Sequence, residues 1–258
     1  MSDTALEYLA GSVVRPDSLA VLRDGGRLSL RDLADRVSAS RRTVKRTLNA
    51  MESRGWVRPT NGAYELTALG VAMLSAYETF RERSHTATRL RPFLEHVPAS
   101  LFDLDIDVLA DATVVTPDDD PTVIADRLVD LRSGATRIRE YTPYLLLDSV
   151  RQFADQVGGD QLYPDVTLVV ETDTPPRSST EYAEGFETLV TASDADVRRH
   201  PDGPSFGFGI VDGWAFLGVA DDSGMPAALL KSDAPELVSW VERRFERCLD
   251  AAEPISAE

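Results

Sequence analysis

The sequence predicts two folded parts: an α+β winged helix-turn-helix at the N-terminus, then an α/β domain built on a mixed sheet. Three observations carry this. Two amphipathic helical patterns, 30–37 and 41–54, are separated only by Ser38-Ala39-Ser40, the spacing of a helix-turn-helix. Directly after them, Asn61-Gly62 lies between two strand-like stretches, as the hairpin of a wing requires. From residue 112 onward strand-like and helix-like segments alternate, and two later strands are joined by Asp212-Gly213. That is the pattern of crossovers followed by an antiparallel meander.

Residues 4–24 read as two short helical pieces interrupted at Pro16, with Leu6, Leu9, Val13, Leu19, Ala20 and Leu22 as apolar positions and Gly25-Gly26 as the stop. Ser29 is placed to cap the next helix, whose Leu30, Leu33, Ala34 and Val37 face inward. The following helix, 41–54, ends at Gly55. At roughly 100° per residue its Val44, Leu48 and Met51 form one narrow apolar stripe. Arg42, Lys45, Arg46 and Asn49 then fall on the opposite face, with Arg41, Ser40 and Thr43 at the helix start.

This arrangement points to double-stranded DNA. Guanidinium and ammonium groups reach phosphates and guanine edges, and short hydroxyls at a helix N-terminus suit backbone contact. A merely solvated helix face mixes charges of both signs, whereas this one has no carboxylate before Glu52. Residues 56–60 and 63–66 form the wing, from which Arg58 can reach the minor groove or the phosphates; Pro59 belongs where no ladder N–H is needed.

Thr67 is placed to cap a long helix through about residue 97, broken or kinked at Pro92, with Leu69, Met73, Leu74, Tyr77 and Phe80 on its early face. Such a helix after a wing suits pairing with its twin, so a homodimer presenting two recognition helices is expected. Strands are expected at 112–116, 136–141, 166–171, 196–199, 206–211, 214–219 and 227–230. Asp120-Pro121, Thr142-Pro143 and Ser178 open the intervening helices, and a helix over 234–252 closes the chain. The domains are therefore 1–66 (DNA-binding), 67–97 (connecting and dimerising) and 98–258 (sensor).

The charge is distributed to match. Of 27 basic residues only Lys45 and Lys231 are lysine, Asp outnumbers Glu, and the net charge is -16. Residues 1–97 carry a net of +4 and residues 98–258 a net of -20. A mildly basic head on an acidic body means that the head meets the anionic partner. High Asp with low Lys resembles the cytoplasmic proteins of salt-accumulating archaea, whose mobile ions screen such a surface. Neither a membrane span nor a secretory signal is read, so a cytoplasmic location without membrane contact is expected. Cys248 follows Leu237, Val241 and Phe245 at helical spacing and reads as a packing residue.

At the family level, SLRDLADRVSASRRTVKRTLNAMESRGWVRPTNGAYELTALG, with its closing Leu-Thr-x-x-Gly, resembles the winged helix of archaeal transcription regulators. TRIREYTPYLLLDSV, SFGFGIVDGWAFLGVADDSGMPAALLKSD and APELVSWVERRFERCLDAAEP resemble the sensor domain of methanogenesis-regulator-type proteins. That domain is related to phospholipase-D-like folds and to the effector domain of TrmB-type sugar-sensing regulators. The resemblance implies a phospholipase-D-like fold used for regulation.

It does not imply catalysis. Phospholipase-D chemistry needs His-x-Lys-x4-Asp, and two residues after His85, His96 and His200 stand Ala87, Pro98 and Asp202. The sequence also lacks a P-loop, zinc-ligand spacing and Gly-x-Ser-x-Gly. Asp118-Asp119-Asp120 reads as a solvated loop ending in a helix cap, and Gly207-Phe208-Gly209 as strand glycines that mark a bulge or close packing. No cofactor and no metal are expected.

A small-molecule effector would bind at the carboxyl ends of the crossover strands, near Tyr141, Thr142, Tyr144, Glu171 and Thr172, with Phe206 on the adjacent meander strand. The sequence thus reads as a sequence-specific, dimeric DNA-binding regulator. A winged helix used for protein contact and a phospholipase-D-like nuclease or hydrolase are the alternatives.

Overall fold

The computed structural model describes residues 4–99, 102–117, 120, 122–143, 145–158, 165–171 and 180–255. They fall into two units, Met1–His85 and Thr86–Glu258.

In the first unit, α1 (Ala5–Ala10) and α2 (Val14–Gly25) precede β1 (Leu28–Ser29), α3 (Leu30–Val37), α4 (Arg41–Ser53), β2 (Val57–Thr60), β3 (Ala63–Leu66) and α5 (Ala68–Arg89), which crosses the boundary between units. The first break falls at Gly11–Val13, not at Pro16 as expected. Pro16 lies in the first turn of α2, where no intrahelical bond requires its missing N–H.

Ser29 caps α3 reciprocally with Asp32: the Asp32 amide donates to Ser29 Oγ at 3.2 Å, and the Ser29 amide to the Asp32 carboxylate at 3.3 Å. Ser29→Ala is expected to cost about 1 kcal/mol, readable as a lower urea midpoint for the isolated first unit. Leu33, Val44, Leu48 and Met51 are buried beside Leu19, Leu22 and Trp56, so the predicted inward stripes form the core.

The hairpin closes through Asn61 and Gly62, with φ of 51° and 76°, the positive angles a type I′ turn demands. β2 is an edge strand in the order β1-β3-β2, and Pro59 faces Tyr64 one step beyond the closing Thr60–Ala63 pair. That position makes no ladder hydrogen bond, so the proline is tolerated.

Thr67 caps α5 by accepting from the Gly70 amide at 3.0 Å, while its hydroxyl donates to the Gly55 carbonyl at 2.6 Å. Of the face expected to be apolar, Leu74 is buried and Met73 and Tyr77 pack against the core; Leu69 and Phe80 lie largely open. α5 ends at Arg89, and a separate turn, α6 (Arg91–Leu94), starts beside Pro92. The helix therefore breaks there.

The second unit holds an eight-stranded sheet in the order β11-β7-β6-β5-β8-β9-β10-β4. Its strands are β4 (Thr113–Val115), β5 (Arg137–Thr142), β6 (Asp165–Glu171), β7 (Ala195–His200), β8 (Gly207–Val211), β9 (Trp214–Ala220), β10 (Pro226–Ser232) and β11 (Glu253–Pro254). β5, β6 and β7 are parallel, and β8 to β10 run as an antiparallel meander beside β5. This is the predicted mixed sheet. β4 takes an edge, antiparallel to β10, and the two-residue β11 closes the other edge.

α7 (Val123–Arg132), α8 (Leu147–Gly158) and α9 (Thr180–Thr191) contribute to one core cluster, and α6 and α10 (Pro235–Ala251) to another. Cys248 is buried on α10, and burial pushes its thiol up; it packs as expected. Among the described residues no helix is long and apolar enough to cross a membrane.

Asp212, with φ of 45°, turns β8 into β9. Its carboxylate accepts from the Thr136 amide at 3.0 Å, the Thr136 hydroxyl at 2.8 Å and the Arg137 amide at 2.9 Å. Asp212→Ala removes these charge-assisted bonds and should cost about 2 kcal/mol, lowering the melting temperature of the chain by roughly 5 °C.

Candidate functional site

The outward face of α4 is the first candidate. Ser40 is its N-cap: Ser40 Oγ accepts from the Thr43 amide at 3.2 Å and lies 2.9 Å from Thr43 Oγ1. The two hydroxyls thus engage each other and the cap, and the amides of Arg41 and Arg42 are left at the positive end of the helix. Arg41, Arg42, Lys45, Arg46 and Asn49 are exposed, and no acidic residue occupies the first turn. Among the described residues, no ion pair or hydrogen bond engages the side chains of Arg41, Arg42 or Arg46. In a chain with 43 carboxylates, three neighbouring guanidiniums without a carboxylate partner form a local anion-attracting field.

Two predicted contacts are more committed. Lys45 donates through Nζ to the hydroxyl of Tyr64 on β3, with the ammonium 5.1 Å from the ring centroid; it ties the helix to the wing. Arg58 donates through Nε to Glu65 at 2.6 Å, and Glu65 also accepts from Arg27 and Thr60 at 3.2 Å each.

The Arg58 guanidinium, with help from Arg27 and Thr60, holds the Glu65 carboxyl below the usual carboxylate range. A depressed folded-state value means that this contribution is present at neutral pH and is lost as pH falls through it. Faster amide exchange in β2 and β3 than in α3, on acidification below the ordinary glutamate range, is the expected signature.

The second candidate is a recess of about 280 Å³ in the α/β domain, lined by Ile124, Leu128, Glu140, Thr142, Leu145 and Phe206 among others. Of the six residues named from sequence, Thr142 and Phe206 line it. Tyr141 is fully buried in the cluster that contains α10, stacked on Phe208 at 5.1 Å, with its hydroxyl donating to the Pro204 carbonyl at 2.9 Å. Glu171 ends β6 and is not among the lining residues. Tyr144 and Thr172 lie outside the described residues, as do Asp118, Asp119, Pro121 and Ser178.

The sequence reading missed Glu140, Gly207 and Gly218. Glu140 and Arg132 form a buried pair in which Arg132 Nε donates to Glu140 Oε2 at 2.9 Å, Nη2 donates to Oε1, and Nη1 donates to Ser149 at 3.1 Å. Burial pushes the Glu140 carboxyl up, against the pull of Arg132. Alternation along β5 was the available signal, since Ile138, Glu140 and Thr142 must share a face. A broader hollow of about 570 Å³ between α7 and α8 is lined by Asp126, Asp148 and Asp155; among the described residues no His, Cys, Asp or Glu group is arranged to hold a metal.

A wing, a bare cationic helix beside it and an acidic α/β domain define a two-domain chain of the winged-helix regulator class. The chain belongs to the family of the methanogenesis regulatory protein FilR1, whose middle domain matches residues 121–251. Residues 3–89 match the HVO_A0261 N-terminal domain. No curated protein matches. Among solved structures, the chain is similar to the archaeal chromatin protein TrmBL2 at 14% identity, over 99% of this chain and 100% of that one, with a TM-score of 0.41. It is similar to Nuc, a phospholipase D family member from Salmonella typhimurium, at 15% identity, over 57% of this chain and 100% of that one, with a TM-score of 0.42.

Proposed function

We propose that the protein is a sequence-specific, dimeric transcription regulator that reads duplex DNA with α4 and is controlled by a small molecule bound in its α/β domain. The observation that carries this reading is the set of guanidiniums of Arg41, Arg42 and Arg46 on the exposed face of α4, which have no partner among the described residues. A helix that meets phosphates needs such groups available, and here they are clustered on one face with no acidic residue in the first turn. Asn49, one turn on, supplies an adenine-reading amide.

The dimer is proposed to form through α5. Leu69, Ala72, Ala76 and Phe80 fall on one face at helical spacing and all are exposed, Leu69 at 46% and Phe80 at 49%. Two copies joined there would offer recognition helices to half-sites one DNA turn apart. The acidic surface suits a salt-rich cytoplasm. The role is regulatory and not catalytic, which the missing His-x-Lys-x4-Asp triplet supports.

Footprinting on genomic fragments tests the whole reading. Discrete sites protected as paired half-sites about 10 base pairs apart are the expected result. Uniform, sequence-blind protection argues against it, and phosphodiester cleavage on addition of divalent metal would favour a nuclease.

A further inference from the structure

The recess in the α/β domain has an unusual floor. The register of β8 and β9 sets Gly207 directly opposite Gly218, so two adjacent strands present no side chain at the same place. Glycine inside a strand weakens it, through backbone entropy and lost packing.

Neither of the ordinary reasons for glycine applies to this pair. Neither residue has a positive φ. A Cβ on Gly207 would meet nothing closer than the Tyr141 carbonyl at 3.5 Å, and one on Gly218 nothing closer than Leu229 at 3.9 Å. Gly209 on β8 differs, because a Cβ there would run into Phe216 at 2.7 Å and the Arg139 carbonyl at 2.6 Å. Close packing accounts for Gly209. A Cβ on either of the other two would make only ordinary contacts, so close packing does not require them, and both line the recess.

The walls define what the space would accept. Ile124, Leu128, Leu145, Phe206 and Phe216 are apolar, and Leu146 stands at the rim, 46% exposed. Among the described residues Glu140 is the one ionisable side chain lining it, and it is 3% exposed. Arg132 neutralises Glu140 from beneath and takes one bond to each oxygen. Each carboxylate oxygen accepts more than one hydrogen bond, so acceptor capacity is left for a donor in the recess. A charged ligand would lose its hydration with no unpaired countercharge among the described lining residues to offset that loss.

We propose that this recess binds a small, flat, uncharged ring compound, its face on the Gly207–Gly218 pair and a hydrogen-bond donor on Glu140. The inference rests on the reading of this domain as the effector module and names the chemistry of the ligand. A volume of about 280 Å³ corresponds to roughly nine water molecules at ~30 Å³ each, the scale of one or two fused rings.

Indole is the probe, with 1-methylindole, which lacks the N–H, and benzoate, which is anionic, as comparators. Ligand-observed NMR titration of the full chain should show indole binding, with 1-methylindole and benzoate each at least about tenfold weaker. Gly218→Val fills the floor with a residue suited to a strand and should abolish indole binding while leaving the far-UV circular dichroism unchanged. Gly207→Ala is a milder block and should weaken indole severalfold.

The proposal is overturned by absence of indole binding, by benzoate binding as tightly as indole, or by equal indole affinity in native and Gly218→Val chains. DNA titrations with and without indole report separately on the regulator reading. A chain that takes up indole in this recess yet never binds DNA overturns that reading and supports this one.

Discussion

Alanine at both Arg42 and Arg46 should lower affinity for duplex DNA about 100-fold, with little change in melting temperature. Each side chain is exposed and, among the described residues, neither is in an ion pair, so removing either leaves no buried group without a partner. Substitutions of this kind move stability by less than ~0.5 kcal/mol. A lost guanidinium contact to phosphate or guanine is worth ~1–3 kcal/mol of binding, or about tenfold for each residue. Competition binding on a footprinted site, beside a thermal melt of the same preparations, separates the two quantities.

Neighbouring positions should behave differently, for reasons visible in the geometry. Lys45→Ala also removes the bond to Tyr64, so it should lose stability as well as affinity. Arg58→Ala should have the smallest effect on binding, because Glu65 already compensates that charge. Loss of binding confined to Arg58→Ala would move the interface from α4 to the wing.

Gly70→Ala should be the most damaging single substitution in the first unit. The site explains the Leu-Thr-x-x-Gly sequence at 66–70. Thr67 starts α5 and bonds back to the Gly55 carbonyl, which brings the first turn of the helix down onto Gly55 and Trp56, between α4 and β2. A Cβ on Gly70 would lie 2.1 Å from the Trp56 carbonyl oxygen and 2.9 Å from its carbon. These are backbone atoms and cannot swing aside. The Trp56 carbonyl also accepts from the Thr67 amide at 3.0 Å, so relief of the clash would break that bond as well.

Overpacking of this kind costs about 3 kcal/mol or more, which in a domain of this size lowers the melting temperature by roughly 12–20 °C. Because the same contacts seat the wing against α4, DNA binding should fall along with stability. A melting temperature within 3 °C of the native chain would show that α5 does not press on Trp56 as described.

The N-terminal architecture was legible in the sequence because its signals are local. Ser29, the short turn at 38–40, Asn61-Gly62 and Thr67 each specify a cap or a turn within a few residues; the reciprocal role of Asp32 appeared only in the structure. What was missed there is nonlocal: β1 is two residues long and exists only because Leu28 meets Tyr64 across the unit. Pro16 was misread as an interruption because a proline in a first turn looks in sequence like a proline that ends a helix.

In the α/β domain the crossovers and the meander were readable from periodicity, but the edge positions of β4 and β11 depend on distant partners. The pocket was located only in part. Thr142 and Phe206 line it, whereas Tyr141 points to the opposite side of the same strand. Which alternate residues of β5 face α7 and which face α10 depends on how the helices are divided between the two faces of the sheet. No window of sequence around Tyr141 contains that information. Gly207 and Gly218 pair across β8 and β9, so their coincidence appears only once the register is known.

The salt dependence of DNA binding reports whether the cations of α4 meet the phosphates of a duplex. The native chain and the Arg42→Ala and Arg46→Ala variants should be titrated with one duplex at several salt concentrations. If α4 lies against the phosphates, the native slope of log affinity on log salt should be steep, and each variant that loses a phosphate contact should flatten it by about 0.9. Identical slopes for all three proteins would contradict the account, because the cations of α4 would then displace no counterions from the duplex.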